Sequence, residues 1–241
     1  MSGPGAAPSA ISVVVAEDQA LLRASLAALV GAEADLTVVG AAADGREAVE
    51  TVRRTRPDVV LMDLRMPVLD GVGATRLIAG DPALADTRVL VLTMVEEAQD
   101  VLAALRAGAS GFLLKDTEPQ ALVDGVRTVH AGQSLLSPRV LERLVVRGVG
   151  GVTGGERAGL VGVVGALTPR QREVLGLIAR GRSNAEIEVE LGITRATCRT
   201  HITALLARLG ARDRAQLVIA AYESGLLAGG PGGPGGQAAA R

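Results

Sequence analysis

The strongest constraint in this chain is an alternation. Over residues 11–131, five short runs of apolar residues take turns with five stretches of helical periodicity. The runs are Ile11–Ala16, Leu36–Ala41, Val59–Met62, Val89–Thr93 and Gly111–Leu114. Near-continuous Val, Leu and Ile is what strands need when a parallel sheet is covered on both faces. The helical stretches fall near 20–30, 45–56, 72–79, 97–107 and 118–131. Asp44 with Glu47, and Thr117 with Gln120, have the spacing of N-terminal capping boxes. Five βα units in series, joined by right-handed crossovers, predict a doubly wound α/β sandwich.

In an open sheet of this kind, ligands bind beyond the carboxyl ends of the strands, at the switch point of strand order. The residues at those ends are Glu17, Asp18, Asp63, Thr93 and Lys115. Three carboxylates at one edge repel each other unless a cation sits among them, and hard oxygen ligands with room for water favour Mg²⁺. Such a metal would neutralise phosphoryl oxygens arriving on a nucleophilic carboxylate. Asp63 is the candidate nucleophile: it ends the central strand and precedes a loop shaped by Pro67 and Gly71. Thr93 would offer a hydroxyl, and Lys115 an ammonium, to the remaining oxygens. Any one of these acids alone reads as a helix cap or strand-end charge; their joint placement argues otherwise. Of the 25 basic residues, 24 are Arg and Lys115 is the lone Lys. A solvated charge tolerates either type, so the exception marks a place where a compact ammonium is needed.

With those residues in view, 11–131 resembles a receiver domain of two-component signalling. The resemblance rests on the Glu17-Asp18 pair, Asp63 in LMDLRMPVLDG, Thr93 in VLVLTM and Lys115 in AGASGFLLKD. It implies a flavodoxin-like five-stranded sheet of order 2-1-3-4-5. It implies Mg²⁺ held by Glu17, Asp18, Asp63 and the backbone carbonyl of Arg65, with Asp63 accepting phosphate from a kinase phosphohistidine. Phe112 falls where the family carries a switch aromatic, often Tyr; a plain core Phe is the competing reading.

The second half has a different grammar. Thr168-Pro169-Arg170-Gln171 opens a helix as a capping box with Pro at the first helical position, closed by Gly181. Ser183 with Glu186 opens a second helix, ending at Gly192. Thr194 caps a third, ending at Gly210, and Asp213 with Gln216 opens a fourth, ending near Gly225. The second and third have helix-turn-helix spacing. Cys198, Ile202, Leu205, Leu206 and Leu209 form an apolar stripe on the third helix. Arg195, Arg199, Thr200 and Thr203 project from its other faces. The stretch from LTPRQREVL to YESGLL resembles the LuxR/NarL-type DNA-binding domain nearly end to end, so a small all-α four-helix domain is expected. The resemblance implies base or groove contacts from Arg199, Thr200 and Thr203, and phosphate contacts from Thr194, Arg195, Thr197 and Arg208. Two residues depart from the family's usual Val-Lys: Cys198, expected to be a small buried thiol rather than a redox sensor, and Arg199, which keeps the charge. His201 reads as local packing or a phosphate contact, and His130 as helix-end packing.

The domains expected are a disordered leader at 1–9, a receiver at 10–132, a helix plus Gly-rich linker at 133–164, a helix-turn-helix domain at 165–228 and a disordered tail at 229–241. The further helix is placed at 135–147, and GVGGVTGGERAGLVGVVG is read as too glycine-rich to order. Charge follows the same division. Residues 10–135 hold 18 acids against 11 bases, and 165–228 hold 9 bases against 6 acids, which suits a polyanion as partner of the second half. A single cysteine forbids an internal disulfide and fits a cytoplasmic protein. No apolar run approaches the roughly 20 residues of a membrane span.

Together these features predict a transcriptional regulator, not an enzyme. Its expected partners are double-stranded DNA, a sensor histidine kinase and a second copy of itself when phosphorylated. Two other readings share features. An aspartyl-phosphate phosphatase would need a second acid two residues after the nucleophile, where Arg65 stands. A DNA-binding regulator whose receiver pocket is only structural would not need the complete acidic set.

Overall fold

The computed structural model describes residues 10–94, 98–133, 135 and 154–227, which fall into two compact units, one on each side of 136/137. The first unit runs β1 (Ile11–Ala16), α1 (Ala20–Gly31), β2 (Leu36–Ala42), α2 (Gly45–Thr55), β3 (Val59–Asp63), α3 (Gly71–Ala79), β4 (Arg88–Thr93), α4 (Ala98–Ala107), β5 (Gly111–Leu114) and α5 (Pro119–His130). Its five strands form one all-parallel sheet in the order β2-β1-β3-β4-β5. Both the fold and the order are those expected.

Strand period explains the two layers. Val13, Val15, Val59, Leu61, Leu90 and Leu92 form a single core with Leu26 and Val30 of α1 and Leu122, Val123, Val126 and Val129 of α5. Residues of opposite parity, Val14, Val60, Met62, Val89 and Val91, are equally buried. They face the other layer, where α2 packs on α3 and α3 on α4. Each such Val or Leu contributes roughly 1.5–3 kcal/mol by leaving water. The order places the switch point between β1 and β3, whose ends carry Glu17 and Asp63.

Two capping expectations need correction. Asp44 does cap α2, accepting from the amides of Arg46 and Glu47, but Glu47 bonds the amide of Ala43 instead of closing the box on Asp44. At α5 the N-cap is Glu118, with Pro119 at the first position. Proline pre-sets the helical φ and needs no capping partner, so Thr117 stays in the preceding turn, its amide on the Leu114 carbonyl.

The second unit runs α6 (Gly154–Gly165), α7 (Pro169–Ala179), α8 (Asn184–Leu191), α9 (Arg195–Leu209) and α10 (Arg214–Glu223). The four expected helices are present. Thr168–Gln171 and Ser183–Glu186 form complete capping boxes. Gly192 and Gly210 end α8 and α9 in the left-handed conformation. The glycine-rich stretch departs from expectation: 154–165 is helical, because Val164 and the following Leu167 are buried and Leu160 half-buried along one stripe. Tertiary burial of that stripe overrides poor propensity. Of the helix expected at 135–147, only Leu135 is described; its carbonyl accepts from Phe112 beside β5. The leader and tail lie outside the described residues. Within them, no helix is long and apolar enough to cross a membrane.

Candidate phosphoacceptor pocket and DNA interface

The parallel sheet delivers the acidic set to one place. Glu17, Asp18 and Asp63 each offer a carboxylate oxygen, and these oxygens lie within 4.8 Å of one another. Lys115, just past β5, brings its Nζ to 2.7 Å from Glu17 Oε2 and 3.0 Å from Asp63 Oδ2. Glu17, Asp63 and Thr93 are buried, while Asp18 is exposed and opens the cluster to solvent. Among the described residues, Glu17 Oε2 has no hydrogen-bond partner beyond its ion pair with the Lys115 ammonium. A buried carboxylate oxygen in that condition, beside two further carboxylates, suits a hard divalent ion such as Mg²⁺.

The electrostatics follow from burial. Desolvation pushes the Glu17 carboxyl above its ordinary value; Lys115 pulls it back and the Asp63 charge pushes it further up. Burial works against the Lys115 ammonium too, but its pairing with the Glu17 and Asp63 carboxylates prevails and raises its pKa. The lone lysine is thus the counter-ion that holds two buried acids together.

The loop after Asp63 is tightly built. The Gly71 amide donates to Leu64 O at 2.9 Å, and a three-residue turn joins the Leu69 amide to Pro67 O around Val68, at φ 65°. For a β-branched residue that conformation costs about 1–3 kcal/mol. A Cβ at Gly71 would lie 2.0 Å from the Asp63 carbonyl oxygen and 2.8 Å from Leu64 Cα, so glycine is what lets α3 start directly behind Asp63. Arg65 pairs with Asp100 of α4 at 3.5 Å, both substantially exposed. Phe112 is buried on β5, beside Val91 of β4.

In the second unit, α8, Gly192-Ile193 and α9 form the expected helix-turn-helix. On α9, Cys198 and Leu205 are fully buried, while Ile202, Leu206 and Leu209 are half-buried. Burial raises the Cys198 thiol pKa. Thr194, Arg195, Thr197, Arg199, Thr200, Thr203 and Arg208 are all exposed. Several have intramolecular work. Thr194 caps α9 and its hydroxyl meets that of Thr197 at 2.9 Å; the Thr200 hydroxyl donates to Ala196 O; Arg208 donates to Ala166 O and Gln171 Oε1.

Sequence reasoning missed Arg214. At the start of α10 it donates to Asn184 Oδ1 at 2.8 Å and to the carbonyl of Arg182, tying α10 to the start of α8. Burial lowers its pKa. An arginine one residue after an N-cap carries no sequence signal that it folds back onto another helix.

Comparison with known proteins agrees with both halves. The model of the response regulator receiver domain matches residues 13–127, and that of the bacterial regulatory proteins of the luxR family matches 165–221. The transcriptional regulatory protein LnrK of Bacillus subtilis is 34% identical over 221 residues, covering 90% of this chain and 98% of LnrK. The response regulator protein VraR of Staphylococcus aureus is 36% identical over 217 residues, covering 90% of this chain and 99% of VraR. A crystal structure of a LuxR-family two-component response regulator from Aurantimonas sp. SI85-9A1 is 33% identical, with a TM-score of 0.52; the match covers 57% of this chain and 97% of that one. The chain belongs to the response regulators that join a receiver domain to a LuxR-type DNA-binding domain. It is a two-component DNA-binding transcriptional regulator, and its relatives are regulators rather than enzymes.

Proposed function

We propose that this regulator is switched by phosphorylation of Asp63 by a cognate sensor histidine kinase. The observation that carries the reading is the gathering of Glu17, Asp18 and Asp63 oxygens within 4.8 Å, with the Lys115 ammonium 3.0 Å from Asp63. An Asp63 oxygen attacks the phosphorus of a phosphohistidine; the P–O bond forms as the P–N bond breaks, and the leaving imidazole takes up a proton. Glu17, Asp18, Asp63 and the Arg65 carbonyl would hold Mg²⁺, which when bound would neutralise charge on the transferred group. Lys115 moves from pairing two carboxylates to pairing a phosphoryl oxygen, and the Thr93 hydroxyl bonds another. Drawing Thr93 toward the phosphoryl group frees space into which Phe112 packs, which couples the pocket to the β4–β5 edge.

The output is DNA binding by a phosphorylated homodimer, each copy taking one half-site. Arg199, Thr200 and Thr203 reach base edges, Arg199 through a bidentate pair with guanine or through phosphate. Thr194, Arg195, Thr197 and Arg208 contact phosphates. The absence of any apolar spanning helix among the described residues suits a cytoplasmic regulator.

The test uses duplexes recovered from a random pool by chain treated with acetyl phosphate and Mg²⁺. Treated wild type should bind them at least tenfold tighter than untreated chain at the same salt, and Asp63→Asn should show no gain. Equal affinity with and without treatment, or an equal gain in Asp63→Asn, contradicts the proposal.

A further inference from the structure

Helix α6 is built from a sequence that opposes it. Five of its twelve residues are glycine, and each costs a helix about fivefold in its folding equilibrium relative to alanine. At Gly159, Gly162 and Gly165 an added Cβ would meet nothing within 4 Å, and none has positive φ. No packing or backbone requirement therefore asks for glycine there. The helix is held by a narrow strip, Leu160, Val164 and the following Leu167, against α9 and α10, while Val161 and Val163 stay exposed.

Its C-terminal end is held by two guanidinium groups. Arg172 donates to Gly165 O at 3.0 Å and to Leu167 O at 3.3 Å. Arg208 donates to Ala166 O at 3.3 Å and to Gln171 Oε1 at 3.4 Å. Cations at a helix C-terminus are favourable. Arg208, however, comes from α9, and the functional reading above assigns it to a DNA phosphate.

We infer that α6 and DNA compete for Arg208, so that folding of α6 restrains DNA binding from within the DNA-binding unit. The inference rests on the phosphate-contact reading of Arg208. In the closed form the guanidinium is held through two long bonds to neutral oxygens, Ala166 O at the C-terminal end of α6 and Gln171 Oε1 of α7. In the open form the guanidinium pairs with a phosphodiester, a shorter and charge-assisted bond. A ligand of the open form binds with an apparent affinity reduced by the open fraction. The glycines keep the closed form weak enough for DNA to displace.

The experiment uses the full chain, a short mixed-sequence DNA duplex and fluorescence anisotropy over a salt series, with hydrogen exchange of amides 160–167 as a second readout. Gly159→Ala combined with Gly162→Ala should raise the protection of α6 and weaken duplex binding by about tenfold. Arg208→Gln alone should weaken binding and lower the salt slope by about one. In the Arg208→Gln background the alanine pair should leave affinity unchanged. Higher protection with unchanged or tighter binding overturns the competition, as does failure of the alanine pair to raise protection. Should Arg208→Gln leave both affinity and slope at wild-type values, the phosphate-contact reading itself fails, and the inference with it.

Discussion

Replacing Lys115 by methionine isolates the electrostatics of the acidic pocket. The ammonium sits 2.7 Å from Glu17 Oε2 and 3.0 Å from Asp63 Oδ2, with its side chain 5% exposed and the two acids 0% and 6%. Methionine keeps most of the packing and removes the charge, leaving two buried carboxylates facing each other. Removing one partner of a buried pair costs about 3–5 kcal/mol, and a second orphaned acid places this case toward the upper end. The chain has no Trp, and its one Tyr, Tyr222, lies in the other unit, so hydrogen exchange of β1 and β3 is the suitable assay. Even the lower figure, a loss of about 3 kcal/mol, speeds exchange by roughly a hundredfold at pH 7. The pH dependence has a definite sign. The Glu17 pKa is already raised by burial and rises further without the lysine. The folded state therefore takes up its proton at higher pH than the unfolded state, and the deficit shrinks as pH falls from 7 toward the ordinary carboxyl range. Mg²⁺ should restore protection at pH 7. Wild-type exchange rates in Lys115→Met, or a deficit that grows on acidification, would refute the reasoning.

Three further outcomes follow from other parts of the molecule. Gly71→Ala should cost about 1–3 kcal/mol in receiver stability and slow phosphorylation, because the methyl meets backbone atoms of Asp63 and Leu64; normal exchange and normal labelling would remove Gly71 from the account. Asp58 is held below its ordinary value: burial opposes this, but Ser12 N and Oγ both donate to its Oδ2, with His130 adding favourable charge. Its stabilisation is present above the unfolded pKa and lost as pH falls through the lower, folded one. Ser12→Ala should therefore cost about 1.5–3 kcal/mol at neutral pH and little at the acid end, read by exchange of β1. Cys198 is fully buried, so iodoacetamide should modify it only after unfolding, and rapid labelling of the native chain would place it on the surface.

The sheet was legible because its signal is local and redundant: strands such as Val59–Asp63 are buried at every position, and a run of five apolar or strand-ending residues has few other uses. The pocket was legible for a related reason. Glu17, Asp63, Thr93 and Lys115 each finish or follow a strand, and parallel topology carries such positions to one edge. Capping boxes at Thr168 and Ser183 were readable because donor and acceptor lie within one turn. Helix α6 was not, since its glycines speak against a helix and Val161 and Val163 blur the stripe formed by Leu160, Val164 and Leu167. Long side chains reaching across the fold were equally hidden. Arg127 joins α5 to Glu33 and Asp35 in the segment between α1 and β2, and Arg214 joins α10 to α8; neither spacing is written in neighbouring residues.

The most direct measurement is the position of the phosphoryl group. After incubation with acetyl phosphate, peptide mapping by mass spectrometry should find one phosphoryl group, on the peptide containing Asp63, in the presence of Mg²⁺. It should be lost when Mg²⁺ is chelated and absent from Asp63→Asn. Labelling that survives chelation, or that persists in Asp63→Asn, would contradict the assignment of this carboxylate cluster as the switch.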